Sequence, residues 1–224
     1  MLAERVRKYR TDHGWSVRRL AEECSRHGAS RLTQSSLANI ERGQAADAHR
    51  QRRDVTVDEL LVLAYALSVP PVLLLLPLGD EDQVTIVPGV TVHPDLALKW
   101  IEGDEAPMTS DRLTTGDLAF WRRASDPLLL YRRLRTAQET VWKSESDIRT
   151  AGYTEQADQI EQARHARLDA LRELAEVLNG MAELSVRAPA LPGDWVEPML
   201  ALKLLKHPET VRIVEPQDQD QDRG

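Results

Sequence analysis

Ser16-Val17-Arg18-Arg19-Leu20-Ala21 and, after eleven further residues, Thr33-Gln34-Ser35-Ser36-Leu37-Ala38-Asn39-Ile40-Glu41-Arg42-Gly43 are the two stretches that decide the reading of this chain. Ser16 has the side chain of a helix N-cap, and Val17, Leu20, Ala21 and Cys24 then recur on one face until Gly28 stops the helix. Thr33 can cap the next helix, with Leu37 and Ile40 inward and Gly43 as its stop. Its other face carries Ser35, Asn39 and Arg42, with Gln34 at the N-terminal tip. A short helix, a turn and a second short helix with a polar, uncharged outer face is what reading a DNA major groove requires. Gln and Asn present a donor beside an acceptor, which matches adenine N6 and N7, and such a bidentate pair discriminates by about 1–3 kcal/mol. The N-termini of both helices offer free N–H groups to phosphates, and Arg18 and Arg19 add charge there.

The flanking sequence fits a small helical domain. Leu2, Val6 and Tyr9 repeat at helical spacing before Gly14. Thr56 and Glu59 have capping-box spacing ahead of the apolar run Leu60 to Leu67, and Pro70-Pro71 precedes Val72 to Leu76. Between them lies a polar loop, 44–54, with the basic cluster His49-Arg50-Gln51-Arg52-Arg53. The charge is uneven. Residues 1–53 carry 12 basic and 6 acidic side chains, whereas 78–224 carry 17 and 27, so +6 stands against −10 within a net charge of −7. A basic segment on an acidic body points to a polyanionic partner for the first and a different task for the second.

The two quoted stretches, above all Leu37-Ala38-Asn39-Ile40-Glu41-Arg42-Gly43, resemble the Cro/cI-type helix-turn-helix family, also called the xenobiotic-response-element family. The resemblance covers about the first third of the chain, Val57 to Leu76 being similar to the family's fourth and fifth helices. It implies a five-helix, lambda-repressor-like DNA-binding domain. It also implies that the positions matching Gln34, Ser35 and Asn39 read bases. Thr33, Ser36, Arg18, Arg19 and Arg42 are the further residues expected to contact DNA. Two features depart from the family pattern: the link Glu22 to Leu32 is long, and Val17 stands where relatives often carry a polar phosphate ligand. Glu41 is expected to orient the end of its helix and not to touch bases.

The remaining sequence carries little chemistry. Gly79 to Gln83 is acidic and marks a boundary. Val84 to Val87 and Val90 to Val92 about Pro88-Gly89 predict a small hairpin, and Asp95 to Ile101 a helical turn ended by Gly103. Leu130, Leu134, Ala137, Val141 and Ile148 keep a helical period, as do Ala157, Ile160, Ala163, Leu168, Leu171, Leu174, Leu178 and Met181 after a break at Ala151-Gly152, which predicts an antiparallel helical hairpin. Packing within one chain and pairing between two are equally compatible with that pattern. The expected fold class is mainly α, with domains at 1–78 (helix-turn-helix), 79–124 (linker with a small hairpin), 125–216 (helical) and 217–224 (a disordered Gln-Asp tail). Trp100, Trp121, Trp142 and Trp195 read as core or interface, or as lining of a ligand pocket.

The six histidines are scattered, Cys24 is the lone cysteine, and no nucleophile elbow, Walker loop or dinucleotide fingerprint occurs. Cys24 and His27 lie three apart, which reads as a packed Cys beside an exposed His and not as a metal site. Some repressors of the resembled class carry a self-cleaving Ser–Lys peptidase domain, and the C-terminal region here does not look like one. The expectation is a protein that is not an enzyme and uses no metal or cofactor. The opening Met1-Leu2-Ala3-Glu4-Arg5 has no apolar signal-peptide core, and the longest apolar run, Val69 to Leu78, contains three prolines in ten residues. A cytoplasmic location on the nucleoid, away from membranes, is expected. The first functional reading is a sequence-specific transcriptional regulator, a bacterial repressor acting as a homodimer on double-stranded DNA, with a protein or small-molecule effector at its C-terminal region. The alternative is an antitoxin-like or adaptor protein whose C-terminal helices bind a protein partner.

Overall fold

The structure is a computed structural model that describes residues 2–42, 54–106, 114–154 and 157–214. Gly43, the basic cluster at 49–53 and the tail at 217–224 lie outside the described residues. The fold is mainly helical with one two-stranded antiparallel sheet. It divides into two compact units, 1–113 and 114–224.

The first unit opens with α1 (Leu2–Asp12), α2 (Val17–Arg26), α3 (Gln34–Arg42), α4 (Val57–Ala66) and α5 (Pro71–Leu75). Each start has a local cause. Ser16 Oγ accepts from Arg19 N, and Thr56 and Glu59 form a complete capping box. α5 begins on Pro71, where a missing N–H costs nothing. These helices enclose one core of Val6, Leu20, Cys24, Leu32, Leu37, Leu63, Leu67 and Leu74. Burial pushes the Cys24 thiol up to about 11, so it is packed as a small apolar group. The eleven residues between Ala21 and Thr33 go partly into α2, which runs on to Arg26, and partly into a turn that ends by burying Leu32.

β1 (Val84–Val87) and β2 (Val90–Val92) pair antiparallel, Val84 opposite Val92 and Thr85 opposite Thr91, with the register shifting between Thr85 and Val87. Gly89 supplies the positive φ the connection needs. α6 (Pro94–Glu102) follows and ends on left-handed Gly103. Leu76, Val84 and Ala97 form a small core with Ile86, Val92 and Leu98. Residues 79–106 are therefore a packed part of the first unit, not a linker as expected. The reason is that the hairpin's alternating valines have a helix of their own to bury against.

The second unit is built on α7 (Thr115–Thr154) and α8 (Ala157–Glu183), packed along one another, with α9 (Gly193–Ala201) closing their core. Two expected boundaries move. α7 begins ten residues before 125, because Thr114 and Asp117 cap each other: Asp117 N donates to Thr114 Oγ1 and Thr114 N to the Asp117 carboxylate. Those bonds hold the Asp117 carboxyl below its ordinary range. The helix also continues through Ala151-Gly152 to Thr154, since Gly152 keeps an ordinary helical φ. Leu130, Leu134, Ala137 and Val141 meet Leu171, Leu174, Leu178 and Met181 around Trp195. Trp195 Nε1 donates to Glu145 Oε1 at 2.8 Å, and Trp142, more than half exposed, stands edge-on to it at 5.4 Å. Among the described residues no helix is long and apolar enough to cross a membrane.

Two polar ties give predictions. Buried Asn179 donates to Leu204 O and accepts from Lys206 N, so it satisfies the chain where it leaves α9. Asn179→Ala leaves both backbone groups unpaired and is expected to cost about 2 kcal/mol in urea unfolding. In the first unit, Lys8 and the buried Arg5 both pair with Asp80 and hold its carboxyl below the ordinary carboxylate range. A depressed carboxyl stabilises the folded chain above its unfolded pKa, near 4, and that contribution disappears as pH falls through the lowered folded value. Asp80→Asn is expected to lower the melting temperature at neutral pH and to flatten its fall below about pH 4.

Candidate nucleic-acid interface

α3 is short, and its orientation depends on what holds its inner face. At about 100° per residue, Leu37, Ile40 and Glu41 fall on one side. Leu37 is fully buried and Ile40 nearly so. Glu41 completes that side with a pair to α1. Arg10 Nε lies 2.6 Å from Glu41 Oε1 and Arg10 Nη2 2.8 Å from Oε2, both side chains being about nine-tenths buried. The third guanidinium nitrogen, Nη1, donates to Trp15 O at 2.5 Å. One planar fork thus ties together α1, the chain entering α2 and the last turn of α3. The Glu41 carboxylate raises the Arg10 guanidinium above its ordinary value.

The opposite side of α3 is free of the core. Gln34, Ser35, Asn39 and Arg42 are all exposed, with half-buried Ala38 at the centre of their arc. Thr33 and Ser36 have a different place. Thr33 Oγ1 accepts from Ser36 N and lies 3.1 Å from Ser35 Oγ. Ser36 Oγ sits 3.1 Å from Arg31 O and 2.9 Å from Thr33 O, within donating distance of both carbonyls. Thr33 and Ser36 therefore build the N-terminus of α3, while Gln34, Ser35, Asn39 and Arg42 form its outward surface.

The arginines of α2 are exposed but engaged. Arg18 Nε is 3.0 Å from Glu22 Oε1, with the Arg18 side chain 77% exposed. Arg19 lies 2.5 Å from Glu23 and 5.8 Å over the Trp15 ring. An exposed i,i+4 pair is worth about 0.3–0.5 kcal/mol, so Arg18 is only weakly held. Arg19 engages both Glu23 and Trp15, so Arg18 is the less constrained of the two. Val17 is half-buried against the core.

Two residues that shape this site escaped the motif reading. Ala38 lies inside the arc of Gln34 and Asn39, half-buried, where its small methyl leaves the surface of the helix low. Drawing the whole helical wheel, not its polar members alone, finds it. Arg10 is 31 residues from Glu41 in sequence, and no local pattern links them. Comparison with known proteins finds no matching family model, no matching curated protein and no matching solved structure.

Removing one partner of a buried pair strands the other charge, at about 3–5 kcal/mol. Arg10→Ala and Glu41→Ala are each expected to destabilise the chain by roughly 3 kcal/mol in urea melts. Combining Arg10→Met with Glu41→Leu is expected to recover most of that loss, since neither charge is then left unpaired. Additive losses in the combined variant would show that the two side chains do not act as a pair.

Proposed function

We propose that the chain is a sequence-specific DNA-binding transcriptional regulator of Cro/cI helix-turn-helix type, acting as a homodimeric repressor. The observation that carries this reading is the surface of α3. It presents amide, hydroxyl and guanidinium groups outward while the same short helix is fixed from behind by Leu37, Ile40 and the Arg10–Glu41 fork. Such a rod, rigidly backed and chemically varied on its free side, is suited to enter a major groove about 12 Å wide. Gln34 and Asn39 read base edges, Ser35 and Ala38 set the fit between them, and Arg42 holds phosphate or guanine. Arg18 and the α2 N-terminus grip the backbone. The five helices α1 to α5 are the DNA-binding domain, and two copies occupy half-sites about 34–36 Å apart. An operator overlapping a promoter is blocked by occupancy alone.

A second reading rests on the second unit. Phe120, Leu128, Trp142 and Leu184 are each half-exposed or more, on a helical hairpin that has its own core. Apolar side chains so displayed favour an adaptor or antitoxin-like role in which this unit holds a protein partner while the first unit binds DNA.

Selection of random duplexes by the purified full chain, followed by sequencing, tests the first reading. A palindromic site is expected, and Gln34→Ala is expected to lose discrimination at one base position per half-site by about 1–3 kcal/mol. Equal loss on selected and random DNA would remove Gln34 from the reading surface. Recovery of no enriched sequence would remove the proposal.

A further inference from the structure

The second unit is electrically polarised along α7. Residues 114–135 contain Arg122, Arg123, Arg132, Arg133 and Arg135 against the carboxylates of Asp117 and Asp126, a net +3. Residues 136–224 carry ten basic and seventeen acidic side chains, a net −7. Arg122, Arg123, Arg133 and Arg135 are all exposed, and no ion pair engages them among the described residues.

Their placement follows from the hairpin. Glu145 faces Arg167 at 3.4 Å, and Gly180 lies beside Leu130, so α8, which stops at Glu183, ends about opposite Pro127. The first three turns of α7 extend about 18 Å past the level at which α8 ends. Arg123 stands seven residues before Leu130, on the line that is core further along the helix, at a level where α8 has already ended. Arg122 and Arg133 are eleven residues apart, three full turns, and so share one line about 16 Å long beside it. Arg135 falls on the opposite side.

We propose that Arg122, Arg123 and Arg133 form a second DNA contact, a strip along the start of α7 that lies on the phosphate backbone flanking the site read by α3. This rests on the reading of α3 as the base-reading helix. A unit of net negative charge tethered to a DNA-reading unit is repelled by the duplex everywhere except at its basic pole, which therefore turns toward the phosphates. Guanidinium forks match phosphate oxygens in pairs, and tethering supplies the duplex at high effective concentration. The strip positions and tightens and reads no bases.

Salt titrations with the full chain test it, on the selected site alone and on that site extended by about one helical turn on each side. The wild-type chain is expected to show a steeper dependence of log affinity on log salt with the longer duplex. Arg122→Gln, Arg123→Gln and Arg133→Gln combined are expected to make that slope shallower by about two to three, with the short-duplex slope and the base preference unchanged. Arg135→Gln, on the far side of the same helix, is expected to match wild type. Equal slopes for the triple variant and wild type on the long duplex overturn the proposal, as does a wild-type slope indifferent to duplex length. Wild-type protein that selects a sequence while the strip has no effect leaves the α3 reading standing. Wild-type protein that binds no duplex removes both.

Discussion

The geometry of the first unit depends on one fork of hydrogen bonds between Arg10 and Glu41. α3 has nine residues, too few to be stable or fixed in direction by its own backbone bonds. Leu37 and Ile40 hold it against the core, but apolar contacts leave rotation about the helix axis loosely constrained. A planar guanidinium meeting a carboxylate with two bonds constrains that rotation, and a third bond to the Trp15 carbonyl fixes where α2 begins relative to α1. The angle at which Gln34, Ser35, Asn39 and Arg42 face outward is set by this pair. Its burial makes it costly to leave half-made, which suits a positioning device better than a source of net stability.

The two faces of α3 divide the work of one short sequence. Thr33 and Ser36 also serve the helix N-terminus: Thr33 Oγ1 accepts from Ser36 N, and Ser36 Oγ lies within donating distance of Arg31 O and Thr33 O. What remains outward is small: two amides, one hydroxyl, one methyl and one guanidinium. The proposed base reading by so few groups needs their backbone held still, which links the buried fork to the exposed surface.

The helix starts were legible because they are local chemistry. Ser16, and Thr56 with Glu59, each announce a helix within four residues, and the hairpin valines alternate with a glycine between them. The inward face of α3 was legible from Leu37 and Ile40 alone. The start of α7 was not, because Gly116 and Pro127 look like breakers, whereas Thr114 and Asp117 cap the helix ahead of them and Pro127 is carried inside it. The membership of residues 79–106 in the first unit was hidden for another reason: Leu76, Val84 and Ala97 meet only after the chain has turned back. The partner of Glu41 was hidden likewise, since a pair across 31 residues has no local periodicity to reveal it. The exposure of Ser35, Asn39 and Arg42 was legible too, because residues off the Leu37–Ile40 line of so short a helix face away from the core.

The central claim is that the outward arc of α3 touches base edges. Nuclear Overhauser effects between the side-chain amides of Gln34 and Asn39, in isotopically labelled full-length protein, and the major-groove protons of its selected duplex measure this directly. Cross-peaks from both amides to base protons, with Leu37 and Glu41 still in contact with α1 and the core, are the expected result. A bound complex in which those amides show no contact with DNA, while another face of the molecule does, would contradict the account.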